Sequence, residues 1–183
     1  SYGYAPNAHL PLQSWHGFSI NYAPNPLGQP TQAAPYASAV SYHPNGAIKQ
    51  FTYGNGLVHQ MTQNVRGLPD LSCDFYGTCT GAAALRDAYD YDQNGNVAAI
   101  TDGRTGNRGN RTMTYDGLDR LKSVVSPMFA TASYTYDTLD NLTRVNIGGT
   151  AARDHYYCYD AHNQLTNVKT GSCDGQSVIG LGY

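Results

Sequence analysis

The sharpest chemical candidate in the sequence is the run DYDQNGN from Asp90, which satisfies D-x-D-x-N-G, the first half of a calcium-binding loop. Such a loop closes its oxygen cage with a bidentate Glu at its twelfth position. That position is Thr101, and the chain holds no Glu at all. The flanking residues read as strands, so one more tight turn accounts for the same residues, and no metal or other cofactor is assigned. The four cysteines fall as two close pairs, Cys73 with Cys79 and Cys158 with Cys173, each enclosing a polar, Gly-containing segment. Local disulfides are the natural reading, and they imply an oxidising compartment. Free thiols or zinc are the alternatives; zinc finds no C-x2-C spacing, and His155 and His162 only scatter around Cys158.

Catalytic motifs are missing. The six histidines, His9, His16, His43, His59, His155 and His162, show no HExxH or H-x-H spacing and read as strand-face or loop residues. There is no G-x-S-x-G, no G-x-G-x-x-G and no P-loop, and the Asp residues recur periodically where a catalytic pair would be singular. The expectation is therefore a protein that is not an enzyme. The run GRTGNRGNR from Gly103 places Arg104, Arg108 and Arg111 among glycines, but with 13% charged residues and a net charge of -2 no basic field supports RNA binding. It reads as a flexible, solvated hairpin loop. NRT at Asn110 and NLT at Asn141 are glycosylation sequons only in a eukaryotic secretory route.

The elements that would position these residues are legible in composition. All 13 acids are Asp and only three Lys are present, so the residues that populate exposed helix faces are scarce. In their place stand 16 Tyr, 20 Gly and 9 Pro, the mixture of short strands and tight turns. The class expected is all-β, with no helix beyond about three turns. No apolar run of about 20 residues occurs, so neither membrane insertion nor a signal peptide is predicted.

A seven-residue unit recurs through the chain. It reads YDQNGNV from Tyr91, YDGLDRL from Tyr115, YDTLDNL from Tyr136 and YDAHNQL from Tyr159. Degenerate relatives are PNPLGQP from Pro24, YHPNGAI from Tyr42 and QNVRGLP from Gln63, giving seven units that start 18 to 28 residues apart. Each reads as a strand, a turn and a strand. In RTMTYDGLDRLKSVV, Arg111, Met113 and Tyr115 take one face and Thr112, Thr114 and Asp116 the other, and Leu121, Ser123 and Val125 resume a period of two. The fifth position holds Gly28, Gly46, Gly67, Gly95, Asp119, Asp140 and Asn163, the residue types that tolerate positive φ. At the second position Asp92, Asp116, Asp137 and Asp160 can accept from backbone N–H groups one and two residues on, while the preceding Tyr91, Tyr115, Tyr136 and Tyr159 pack on the neighbouring unit.

This series, together with YHPNGAIKQFTYGNG from Tyr42, resembles the YD-repeat (RHS) family over roughly residues 20 to 170. The resemblance implies an antiparallel β-hairpin ribbon spiralling into a hollow shell, stalk or fibre, in secreted or surface proteins of bacteria and in animal teneurins. In the bacterial toxins it implies a shell around a C-terminal toxin released at a DPxGxxxG-type motif. Nothing in this chain matches that motif, so no self-cleavage is carried over. The organisation expected is residues 1–23 as a degenerate repeat or irregular N-terminal segment and 24–183 as the repeat scaffold. The function expected is structural, enclosing a toxin or forming a surface stalk, with a carbohydrate-binding module on exposed Tyr faces as the alternative. Neighbouring repeats of a longer chain, or other copies of the same chain, are the partners expected. The mid-pattern start at Ser1 and the apolar end VIGLGY suggest open ribbon ends that favour head-to-tail association. Glycans are a further partner class, and nucleic acid is not.

Overall fold

The computed structural model describes residues 2–4 and 9–175, so the expectation resting on Ser1 and the end VIGLGY lies outside the described residues. Among them there is no helix, and the architecture is all-β in antiparallel sheets. The chain divides into two compact units, Ser1–Tyr89 with Asp102–Gly106, and Asp90–Thr101 with Asn107–Tyr183.

The first unit opens with a three-stranded sheet of β1 (Tyr2–Gly3), β2 (Leu12–Trp15) and β3 (Phe18–Asn21), in that order. Residues expected to be a degenerate repeat or an irregular segment thus contribute three paired strands. The β2–β3 turn is His16 and Gly17, at φ 45 and 82, the doubly left-handed loop that matches strand twist in two-residue hairpins. The unit continues with β4 (Ala37–Tyr42), followed by β5 (Ile48–Tyr53), β6 (Val58–Gln63), β7 (Pro69–Phe75) and β8 (Leu85–Tyr91), these four each antiparallel to the strand before. The second unit carries β9 (Val97–Asp102), β10 (Arg111–Tyr115), β11 (Leu121–Ser126), β12 (Ala130–Tyr136), β13 (Leu142–Ile147), β14 (Arg153–Tyr159) and β15 (Leu165–Thr170), again paired in chain order. Sequential pairing follows from the short turns, which bring each strand back beside its predecessor before any distant strand can compete.

Few side chains are fully buried. Cys73, Val124, Ala132, Cys158, Asp102 and Ser126 are the tightest, and most tyrosines of the strands are half-buried. A register shift recurs where five of the units leave their turns. Thr114 faces Ser123 but Tyr115 faces Leu121, leaving Lys122 as an extra residue. The same shift leaves Lys49, Asp70, Thr143 and Thr166 extra in β5, β7, β13 and β15. These are β-bulges, and they correct the simple alternation expected after the turn. Leu121 opposes Tyr115, whereas Ser123 and Val125 oppose Thr114 and Thr112, so Val124 and Ser126 are buried and Val125 is exposed. Two bulged threonines bond across the irregularity: the Thr143 hydroxyl donates to the Thr135 carbonyl and that of Thr166 to Cys158.

Candidate functional site

The repeated turn is the feature built most consistently in the chain. In the four clear copies the N–H of Asp92, Asp116, Asp137 or Asp160 donates to the carbonyl four residues on at 2.9–3.0 Å. The N–H of the fifth-position residue donates back to the Asp carbonyl at 3.1–3.4 Å. Together these bonds close a three-residue loop whose last residue must be left-handed. That residue is Gly95 at φ 98, Asp119 at 59, Asp140 at 66 and Asn163 at 60; in the degenerate units Gly28, Gly46 and Gly67 lie at 79, 85 and 76. An eighth turn of the same geometry was not separated by the sequence pattern. Tyr53 donates to the Leu57 carbonyl, and Gly56, at φ 85, donates back to Tyr53. Its YGNGL segment lacks the Asp that makes the other copies recognisable.

The Asp side chain spans more of the loop than expected. Asp116 Oδ1 accepts the N–H groups of Leu118 at 2.9 Å and Arg120 at 3.0 Å, and Asp137 and Asp160 accept likewise, two and four residues on. Asp92 takes Gly95 and Asn96, three and four residues on. The expected bond two residues on is present at Asp116, Asp137 and Asp160, and the one expected one residue on is corrected to four residues on. The loop folds back over the carboxylate, which brings the returning strand's first N–H within reach and turns the adjacent one away. Asn25 and Asn64 make the same two bonds through Oδ1 in degenerate units, because the acceptor geometry of an amide oxygen suffices. The carboxyls of Asp92, Asp116 and Asp137 are held below the usual carboxylate range. At Asp116 the chief cause is the Arg120 guanidinium bond, and at Asp137 the Asn141 amide bond. At Asp92 burial opposes, but bonds from Asn96, Gly95 and Asn94 outweigh it.

The unit tyrosine links one turn to the previous one. Tyr115 donates its hydroxyl to the Val97 carbonyl at 2.9 Å, Tyr136 to Leu121 at 3.1 Å, Tyr159 to Leu142 at 3.0 Å and Tyr42 to Pro30 at 2.6 Å. Each acceptor is the seventh residue of the preceding unit. Tyr91 closes β8 ahead of Asp92. Burial pushes the Tyr115, Tyr136 and Tyr159 hydroxyls upward.

A second link joins the sixth position to the fifth position of the next unit. Asn96 Nδ2 donates to Asp119 at 2.8 Å, and Asn94 Nδ2 donates to the same oxygen at 2.7 Å. Arg120 Nη1 donates to Asp140 at 2.6 Å and to the Asp137 carbonyl, while its other arm holds Asp116 and its carbon centre lies 4.7 Å from the Tyr136 ring centroid. The sequence places each tyrosine against the neighbouring unit, but the hydroxyl acceptors and the second link are not visible in it, because both depend on which turn lies beside which.

Cys73 is bonded to Cys79 and Cys158 to Cys173. Among the described residues no group of three His, Cys, Asp or Glu side chains could hold a metal ion. The calcium-like run has Asp92 committed to its own turn. The Gly103 run is exposed over residues 105–108, as expected of a solvated loop, but Arg104 at its start is tied down. Asp102, 2% exposed, is gripped through both oxygens by Arg104, which also donates to the Ala84 carbonyl. His59, assigned no role from sequence, lies opposite Asp74 and contacts it at 2.6 Å, with Phe51 stacked 4.9 Å away. Such a pair needs the strand register to be seen.

Neither a protein-family model nor a curated protein matches the chain. Its structure is similar to that of TcdB2-TccC3 without the hypervariable C-terminal region, at a TM-score of 0.75 and 16% identity, over 88% of this chain and 10% of that one. It is similar to TcdB2-TccC3-TEV at a TM-score of 0.74 and 17% identity, over 92% and 10%. A Photorhabdus luminescens Tc holotoxin pore with a mutated TccC3 gives 0.70 and 15%, over 92% and 12%. The chain spans about a tenth of the length of those chains. Over about nine-tenths of its own length it has the all-β fold of those TcdB2-TccC3 chains.

Proposed function

We propose that this chain is a non-catalytic structural segment of a secreted YD-repeat protein that encloses a toxin. The observation that carries the reading is the fold likeness to TcdB2-TccC3 at a TM-score of 0.75 over 88% of the chain. The turn chemistry supports it, since the recurring Tyr-Asp pairs spend their polar groups on one another's turns: Asp carboxylates cap their loops and Tyr hydroxyls reach the preceding unit. A wall built this way gains stability from neighbour contacts and needs no deep core. Two short-range disulfides fit an oxidising, extracellular setting. Neighbouring repeats of the same chain are the partners this role requires.

The test uses the full-length protein that contains this segment. Electron microscopy is expected to show a hollow particle, and limited proteolysis to spare an internal polypeptide until denaturant opens the wall. A solid or elongated particle with no protected polypeptide would refute enclosure and favour a surface stalk.

A further inference from the structure

The three-stranded sheet carries exposed aromatic rings that the turn ladder does not use. Tyr2 pairs with Gln13 and Trp15 pairs with Phe18. Directly opposed residues share a sheet face, as do residues two apart on a strand, so these four side chains stand on one face. Tyr2 is 62%, Trp15 71% and Phe18 65% exposed. Tyr2, Gln13, Ser14 and Trp15 line a cleft of about 330 Å³. The Trp15 ring is propped edge-on against His16, with centroids 4.9 Å apart. Gln13 is fixed by accepting the Tyr22 hydroxyl at 3.0 Å on Oε1, which leaves its amide NH2 as a donor.

The chemistry of this cleft selects its ligand. Residues 1–48 contain no Asp, Glu, Lys or Arg. A nucleotide or phosphorylated ligand would require cationic partners, and an acidic or basic peptide would require opposite charges. A lipid chain would gain nothing from the Gln13 amide. What matches aromatic faces interleaved with neutral donors and acceptors is a molecule with apolar C–H faces rimmed by hydroxyls.

We propose that this face binds a neutral oligosaccharide, with Trp15 and Tyr2 stacking on pyranose rings and Gln13 exchanging hydrogen bonds with ring hydroxyls. The site goes beyond the wall-building role and does not depend on it. It also differs from the repeat tyrosines, whose hydroxyls are committed to backbone carbonyls.

Trp15 is the only tryptophan in the chain, so its fluorescence reports this site alone. The protein is titrated separately with N,N′-diacetylchitobiose, cellobiose and maltotriose. At least one is expected to blue-shift the emission saturably, with half-saturation on the order of 1 mM, and to lower acrylamide quenching about two-fold. Tyr2→Ala and Gln13→Ala are expected to weaken that binding about five-fold each while circular dichroism stays that of the parent; two variants guard against one misfolding. The proposal is overturned if none of the three sugars changes the emission, or if both folded variants bind as the parent does. It is also overturned if the emission follows protein concentration instead of sugar, or if Trp15 is already shielded from acrylamide before sugar is added. Those last results would show the face covered by another copy or by a neighbouring repeat.

Discussion

Replacing Asp140 separates the two jobs that its position performs. The backbone there lies at φ 66, and the side chain, 70% exposed, accepts from Arg120 at 2.6 Å. A β-branched residue in the left-handed region is strained by about 1–2 kcal/mol, which a short polar side chain or Gly largely avoids. The ion pair is solvent-exposed and screened, so its share is the smaller one. Asp140→Val should therefore lower stability by about 1–2 kcal/mol, or roughly 2–8 °C in melting temperature for a chain of this size. Asp140→Asn keeps the tolerated conformation and loses only the charge, so its shift should be small. Asp140→Gly relieves the backbone but adds freedom to the unfolded chain, and should fall near the parent. Thermal melts of all four proteins by circular dichroism, at low and high NaCl, make the comparison. Salt should narrow the gaps from the parent to Asn and to Val alike and leave the gap between Asn and Val unchanged. Equal shifts for Val and Asn, or a Val penalty abolished by salt, would refute the left-handed requirement at this turn.

Three further outcomes are expected. Tyr136→Phe removes the hydroxyl bond to the Leu121 carbonyl and should cost about 1 kcal/mol in chemical denaturation, whereas Tyr134→Phe serves as a control with a shift below about 0.5 kcal/mol; equal effects would contradict the inter-unit link. Non-reducing peptide mapping should recover Cys73 with Cys79 and Cys158 with Cys173, and a peptide joining Cys79 to Cys158 would refute the pairing. Asp116 and Asp137 have folded-state values depressed below their unfolded ones, so their contribution is fully present above the unfolded carboxylate range near pH 4. It should be lost as pH falls through the lower folded values. Denaturation midpoints should therefore drop below about pH 4, and the drop should shrink in the Asp116→Asn, Asp137→Asn double variant.

The parts legible in sequence are those governed by local backbone rules. Positive φ at the fifth position could be read because only Gly, Asn and Asp sit there, and the turn is specified within seven residues. Strand content could be read from the Tyr- and Thr-rich alternation and the missing helix formers. The bulges at Lys49, Asp70, Lys122, Thr143 and Thr166 could not, since an extra residue leaves no compositional mark and shows only as a shift against the partner strand. The His59–Asp74 contact and the Asp102–Arg104 grip were hidden for related reasons: one needs register, the other needs a loop closed over its own carboxylate. The β1–β3 sheet was hidden because its turn residues, His16 and Gly17, do not belong to the repeat.

The change from Gly to Asp at the fifth position then acquires a cause beyond tolerance of φ. In the early units the sixth-position Gln29 amide ends 3.8 Å from where a Cβ on Gly46 would stand, so a neighbouring donor approaches a position with no side chain to receive it. In the later units that donor meets an acceptor, Asn96 on Asp119 and Arg120 on Asp140. Asp is the residue that satisfies both constraints, since it is short enough for the left-handed backbone and carries an oxygen toward the next turn. In these two pairs the fifth and sixth positions of consecutive units are thus coupled through space, the sixth-position donor giving the next fifth-position acceptor its partner. Asn96→Leu combined with Asp119→Gly should accordingly be better tolerated than the sum of the two single changes, by a coupling that a double-mutant cycle on thermal stability measures. Strict additivity would show that Asp119 is retained for its own turn alone.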